Sequence, residues 1–160
     1  MRSVLSLLVL AVTVCCSSLS VNIDQDSAYD LEGKRTYAWV AGVDAASELD
    51  QKRIVRDVDA ALTALGYASE ETAADFLVRS EVASVRELRG GTLGAGEQIY
   101  EVTVGTLVLE ILDGSSGEVV WRAVARDSIS NDAQRNGAKI ARAVERAFLQ
   151  FPPAAGAVAQ

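Results

Sequence analysis

The chain has 160 residues, of which 49% are hydrophobic and 23% charged, and its formal net charge is −7 at pH 7. This length allows one domain with a single hydrophobic core, and the apolar content excludes a wholly disordered chain. The acidic balance argues against a nucleic-acid partner, because binding to phosphates requires a basic surface.

The first sixteen residues resemble an export signal. Arg2 precedes an apolar run over residues 4–14, which ends at Cys15 and Cys16. A helix of this run spans only about 16 Å, whereas the hydrocarbon core of a bilayer is about 30 Å thick. We therefore expect residues 1–15 to be a lipoprotein signal peptide, cleaved before Cys15 or Cys16, with a lipid attached to the new N-terminal cysteine.

Other interpretations of this segment stay open. Val14 precedes Cys15, so neither cysteine follows the Gly or Ala that favours lipoprotein processing. Ordinary cleavage after Ser20 would give a soluble periplasmic or secreted protein, and an uncleaved anchor is a third possibility. If Cys16 carries the lipid, Ser17 follows it, and the lack of Asp there favours an outer-membrane lipoprotein facing the periplasm.

Two strands are predicted before the first helix. Residues 19–24 predict a short edge strand, and residues 35–40 a strand in which Tyr37 and Trp39 alternate with smaller side chains. Aromatic residues in such a pattern are typical of a core, which is also what we expect of Trp121 further on.

The clearest predicted helix begins at a capping box formed by Ser47 and Asp50 and ends before Gly66. Its apolar residues recur at helical spacing and form one face: Ile54, Val55, Val58, Leu62 and Leu65.

The next segments predict a run of strands. Residues 75–85 alternate as a strand, and the glycine-rich residues 90–96 predict a loop rather than a phosphate-binding turn, because no Lys-Ser/Thr pair and no helix follow them. Residues 100–112 and 118–129 predict a β-hairpin joined by turn residues.

A five-residue hairpin connection predicts that Leu112 pairs with Glu118. The even-numbered face would then be partly exposed, with Glu110 meeting Arg122 diagonally across the strands. The odd-numbered side chains would form the core face: Leu107, Leu109, Ile111, Val119, Trp121 and Ala123.

A last helix is predicted after a cap at Asn131 or Asp132, with Ile140, Val144, Ala147 and Phe148 at helical spacing. We expect residues 154–160 to be a disordered tail. The predicted fold is a single α+β domain over residues 19–153: a mostly antiparallel β-sheet with two amphipathic helices packed on one face, in the order β-β-α-β-β-β-α.

These elements contain six short segments in a characteristic order, over residues 34–39, 53–67, 74–78, 105–109, 119–122 and 151–153. As an ordered set they resemble the DUF4136 family of bacterial envelope lipoproteins, from about Val21 to Pro153. The resemblance implies an α+β domain in an exported, usually lipidated protein. It implies no activity, because the function of the family is unknown.

The residue types limit the chemistry. The chain has no histidine and no cysteine beyond Cys16, which excludes Ser-His-Asp and Cys-His nucleophiles and histidine-rich zinc sites. Asp24, Asp26 and Asp30 alternate like calcium ligands but lack the glycine and the final carboxylate of a hand-type loop, so they predict a solvated turn. We expect no catalytic residue, no metal site and no cofactor.

The favoured hypothesis is a non-catalytic binding or structural module of the bacterial envelope. Its partners would be the membrane, through N-terminal acyl chains, and an unidentified envelope protein or lipid, bound through a sheet face or edge. The alternatives are a small envelope hydrolase that uses a carboxylate pair, and a carrier of an apolar ligand.

Overall fold

The computed structural model describes residues 18–31, 33–40, 47–93, 96–154 and 156. These residues form six strands and two helices in the order β-β-α-β-β-β-β-α. The elements are β1 (Ser20–Gln25), β2 (Thr36–Trp39), α1 (Glu48–Ala64), β3 (Ala68–Ser69), β4 (Phe76–Leu93), β5 (Gly96–Asp113), β6 (Val119–Ser128) and α2 (Ala133–Phe148).

All six strands form one mixed sheet with the order β1-β6-β5-β4-β2-β3. The pairs β1–β6, β6–β5 and β5–β4 are antiparallel, which agrees with the predicted mostly antiparallel sheet and its β5–β6 hairpin, whereas β2 runs parallel to both β4 and β3. The parallel pairs arise because α1 carries the chain back over the sheet between β2 and β4. The two-residue strand β3 was not predicted, since it is too short to leave a pattern.

The two predicted helix starts are confirmed by their caps. The Ser47 side chain accepts a hydrogen bond from the Asp50 N–H at 3.1 Å, and the Asp132 side chain accepts from Gln134 and Arg135. The end of α1 is also as predicted, because Gly66 follows the last turn with φ +90°, a conformation that glycine adopts freely.

The core lies between α1, α2 and one face of the sheet, which we call the helix face; the opposite face is the open face. Trp121 packs against Phe148 and Phe151 with ring centroids 5.4 and 5.3 Å away. Trp39 is partly buried against the same core, so both tryptophans are core residues as predicted. Other large apolar side chains that are fully buried include Tyr37, Ile54, Val58, Leu62, Phe76, Val78, Leu109, Ile111 and Val144.

The predicted register of the β5–β6 hairpin is wrong, because the hairpin contains a β-bulge that was not predicted. Leu112 pairs with Val119 and Ile111 with Trp121, so Val120 is the extra residue. Val119, predicted in the core, is therefore 41% exposed, and Val120 is buried instead. The bulge restores the alternation, and the remaining predicted core residues of the hairpin are buried.

The bulge follows from the turn before it. The Asp113 carboxylate accepts hydrogen bonds from the N–H groups of Ser115 and Ser116, which folds the connection tightly and leaves Glu118 outside the ladder. As a result Glu110 lies directly opposite Arg122, not diagonally from it.

Two further predictions are corrected. The glycine-rich stretch is not a loop at Gly90, Gly91 and Gly96, which lie in β4 and β5; continuous pairing of the two strands satisfies their backbone groups and overrides the low strand propensity of glycine. The predicted disordered tail is wrong for Ala154, which is buried and donates its N–H to the Leu65 carbonyl at 2.8 Å.

Candidate functional site

The longest two strands extend past the rest of the sheet. The pairing of β5 with β6 stops at Val104 and Ser128, and the pairing of β4 with β2 stops at Val78. Beyond these points, residues 85–93 and 96–103 form a two-stranded ribbon, which we call the arm; the remaining described residues are the body. The arm projects about 30 Å at about 3.3 Å per residue, and within the described chain both of its edges lack a partner strand.

The arm carries apolar side chains on both faces. Leu88 and Ile99 point to the helix-face side and are 75% and 77% exposed, because the helices do not reach this far. Val85 and Tyr100 lie on the opposite side and are about half exposed. Such a concentration of exposed apolar surface on one element is typical of an interaction site.

Charged residues alternate with these apolar ones. Glu87 binds Arg126 of β6 at 2.8 Å and Arg89 at 3.3 Å, and Arg86 lies 3.7 Å from Glu101 on the paired strand. These side chains are exposed or half-buried, so the pairs contribute little to stability. They give the arm an ordered pattern of positive and negative charge.

A cavity of about 120 Å³ lies at the base of the arm, between the sheet and the first turns of α1 and α2. Its walls are mainly apolar, formed by side chains such as Leu19, Ile54, Leu107 and Ile140. Asp50 of α1 and Asn136 of α2, both in the first turns of their helices, complete the lining on the helix side.

The polar groups at the cavity rim already have partners within the chain. The ammonium of Lys139 donates to the carbonyl of Ser128 at 2.6 Å and lies 3.6 Å from Asp127. Burial opposes ionisation of Asp127, but hydrogen bonds from Ser18 and Ser128, together with the Lys139 charge, hold the pKa of this carboxyl below its usual range. The rim therefore offers no free charge to a polar ligand.

The chain enters the fold at this same end. Ser20, the first residue of β1, pairs with Arg126 at the base of the arm, and the hydroxyl of Ser18 donates to Asp127. Leu19 lines the cavity. The lipid-attachment candidates Cys15 and Cys16 lie outside the described residues, but few residues separate them from this end of the sheet.

Among the described residues, the most buried carboxylate is that of Glu110, which forms ion pairs on the open face. Glu110 is 5% exposed and accepts hydrogen bonds from Arg79 at 2.6 Å and Arg122 at 2.7 Å. Burial opposes its ionisation, but these two arginines overcome that effect and lower the pKa of Glu110. Arg122 is thus a cross-strand partner, as the sequence indicated.

Two more carboxylates are held in the ionised form by hydrogen bonds. The Ser115 hydroxyl and the Ser116 N–H lower the pKa of Asp113, while the N–H groups of Arg35 and Thr36 lower that of Asp75. A carboxyl of this kind cannot supply the proton that a general acid delivers.

No cluster of three potential metal ligands occurs among the described residues. The predicted turn is confirmed at Asp26, whose carboxylate accepts the N–H of Ala28 at 2.8 Å. The main feature that sequence reasoning missed is the arm, because apolar and polar residues stop alternating after Val85, where Arg86 and Glu87 are adjacent, and two glycines follow.

The fold is an α+β domain with a mixed sheet and two helices on one face. A family model described as Domain of unknown function (DUF4136) matches residues 21–153, and the chain belongs to this family. No match is found among the curated proteins. Within the described residues, no helix is long and apolar enough to cross a bilayer.

Three solved structures share the fold. A PDZ domain protein from Parabacteroides distasonis has a TM-score of 0.56 at 14% identity; the match covers 85% of this chain and only 35% of that protein. The PelC dodecamer from Paraburkholderia phytofirmans has a TM-score of 0.52 at 18% identity, over 82% and 98% of the two chains. A minor lipoprotein from Acinetobacter baumannii has a TM-score of 0.50 at 15% identity, over 73% and 91%.

Proposed function

We propose that the protein is an exported lipoprotein of the bacterial envelope that works without catalysis, as a module that binds another envelope component through the arm. The observation that carries this proposal is the arm itself, with apolar side chains on both faces and two unpaired edges beside the entry point of the chain. An unpaired strand edge is a template for a further strand, and exposed apolar residues add binding energy.

The leader supports an anchor on Cys16 or Cys15. Three peptide units join Cys16 to Leu19, a span of at most about 11 Å. A lipid on Cys16 therefore holds the base of the arm near the membrane surface, in the outer membrane on our proposal, with the body in the periplasm. In that arrangement the arm meets components that are themselves at the membrane.

The carboxylates support a binding role over a hydrolase. An enzyme with a carboxylate pair needs one member protonated at neutral pH, in a cleft. Asp75, Glu110, Asp113 and Asp127 all have a lowered pKa and are engaged by donors of the chain itself.

The cavity size favours a binding module over a carrier. Pockets for small ligands usually measure about 300–1,000 Å³, whereas the cavity at the base of the arm is about 120 Å³. A long acyl chain does not fit it without movement of α2.

The test of the binding role is photo-crosslinking from the arm in intact envelopes. A photoreactive residue replaces Ile99, and the matched control replaces Leu149, which is 72% exposed at the far end of α2. We expect a specific adduct with an envelope protein or lipid from position 99 and none from position 149. Equal labelling from both positions would contradict the proposal.

The test of the anchor is separate. Mass spectrometry of the native N-terminal peptide is expected to show a diacyl or triacyl cysteine at position 16 or 15, and Cys16→Ser with Cys15→Ser is expected to release the protein from membranes. An intact Met1, or an unmodified N-terminus in a membrane-bound protein, would contradict lipid attachment.

A further inference from the structure

The arm needs something to pair with its edges. A two-stranded hairpin alone is at best marginally stable in water. Most of the backbone groups on the outer edges of residues 85–93 and 96–103 have no ladder partner in the described chain. The body supports the arm only at its base.

The bilayer is not a suitable partner for these edges. An open strand edge does not enter hydrocarbon, because its backbone groups would lose their hydrogen bonds with water and gain none. Arg86, Glu87 and Arg89 would also have to leave water. The edges therefore require another strand.

The outer edge of β4 is complementary to itself. When two copies of a strand pair antiparallel about a two-fold axis, residue i of one copy lies opposite residue j of the other, and the sum i + j is the same for every pair. The two residues of each pair have their side chains on the same face of the sheet. Centred on Leu88, this pairing places Glu87 opposite Arg89 of the other copy, twice per dimer, with Leu88 opposite Leu88. Opposite charges on facing positions stabilise a strand pair.

Neighbouring registers are excluded by charge. Centring the pair on Glu87 places Glu87 against Glu87, and centring it on Arg89 or Arg86 places arginine against arginine. Charges on an edge normally prevent pairing altogether; here they disfavour the three registers centred on Arg86, Glu87 and Arg89 and favour the one centred on Leu88.

The outer edge of β5 lacks this property. Centred on Tyr100, it would place Ile99 opposite Glu101 and Gln98 opposite Val102, with no opposite charges in contact. The self-complementary edge is therefore that of β4.

We propose that two copies of this chain pair through the β4 edges of their arms, antiparallel and centred on Leu88, to form a four-stranded ribbon. The two β5 edges remain at the outside of this ribbon for a different partner. The inference rests on the proposed function only in treating the arm as a binding surface, and it does not require the lipid anchor.

The first test uses cysteine cross-linking of the full-length chain in envelopes, under mild oxidation. In the proposed pairing the two Cα atoms at position 88 are about 4.5–5.5 Å apart, within the range of a disulfide. We expect Leu88→Cys to form a covalent dimer. Ile99→Cys is the matched control, equally exposed and on the same face, and is expected to form none; the unmodified chain measures the background from Cys15 and Cys16.

Each outcome of this test is informative. Equal cross-linking at both positions, cross-linking at position 99 alone, or none at either position overturns the β4 pairing. None of these results bears on whether position 99 labels a different envelope component, so failure of this inference and failure of the proposed function are distinguishable.

The second test reverses charges. Glu87→Arg places arginine opposite Arg89, and Arg89→Glu places glutamate opposite Glu87, so each variant is expected to self-associate roughly tenfold more weakly. A mixture of the two variants restores both opposite-charge contacts. Co-purification of differently tagged copies should therefore recover in the mixture, whereas an effect on folding alone would leave it low and would overturn the register.

Discussion

Strands β4 and β5 run through both the body and the arm, yet different interactions stabilise them in the two regions. In the body, β4 and β5 lie under two helices, and Phe76 and Ile111 are fully buried. In the arm the same strands carry Leu88 and Ile99 in water. Burial of apolar area stabilises the body, whereas the arm depends mainly on backbone pairing, with a small contribution from ion pairs at its surface. The part of the sheet that contributes least to stability is thus the part that is free to bind.

The largest difference is expected from truncating one apolar side chain in each region. Trp121→Ala removes a ring that packs on Phe148 and Phe151, and we expect it to lower the free energy of unfolding by about 3–5 kcal/mol. Ile99→Ala is expected to change it by less than about 0.5 kcal/mol. Urea unfolding measures both, and a comparable loss in the two variants would show that a contact buries the arm.

The second comparison between the body and the arm concerns their ion pairs. Glu110→Gln leaves Arg79 and Arg122 without a carboxylate in a nearly buried site, and we expect a loss of about 1.5–3 kcal/mol. Glu87→Gln in the arm breaks exposed pairs and is expected to cost at most about 1 kcal/mol.

The ion pairs of Glu110 also predict that the stability of the body depends on pH. Because its pKa is lowered in the folded protein, Glu110 contributes stability that is fully present above its ordinary pKa of 4.5 and is lost as the pH falls through the lower folded value. The stability gap between the wild type and Glu110→Gln should therefore narrow below about pH 4. If the difference in unfolding free energy between the two proteins stayed constant below about pH 4, the ionised form of Glu110 would not be the form that the site stabilises.

The third comparison concerns two glycines, one in the body and one in the arm, and the space that a Cβ atom would have at each. A Cβ on Gly114 would lie 2.2 Å from the carbonyl oxygen of Ala74, so Gly114→Ala is expected to destabilise the body by about 1–3 kcal/mol. A Cβ on Gly91 would meet only the ring of Tyr100, which can turn aside. Gly91→Ala should stay within about 0.5 kcal/mol of the wild type in thermal unfolding.

The contrast between the two regions also explains what could be predicted from the sequence. Helices α1 and α2 were predictable because Ser47 and Asp132 cap apolar residues at helical spacing, a local signal. The bulge at Val120 was not, because it depends on how the Asp113 turn closes. The arm was missed because Gly90 and Gly91 have low strand propensity, and only pairing with β5, a contact between separate segments, keeps them extended. The candidate binding surface was predicted only as an unspecified sheet face or edge, since exposure is a property of the folded sheet.

The smallest effect is expected at Gly90, and it tests whether the arm opens independently of the body. A Cβ there meets nothing within 4 Å, and valine would face Ile99 as a cross-strand apolar pair. Gly90→Val should slow amide hydrogen exchange in the arm about two- to threefold and leave the unfolding free energy of the body unchanged within about 0.5 kcal/mol. The control Gly117→Val lies in the body at φ +72°, where valine is strained, and should lower that free energy instead. If Gly90→Val raised global stability as well, arm and body would unfold as one unit, and the arm could not exchange partners without loosening the core.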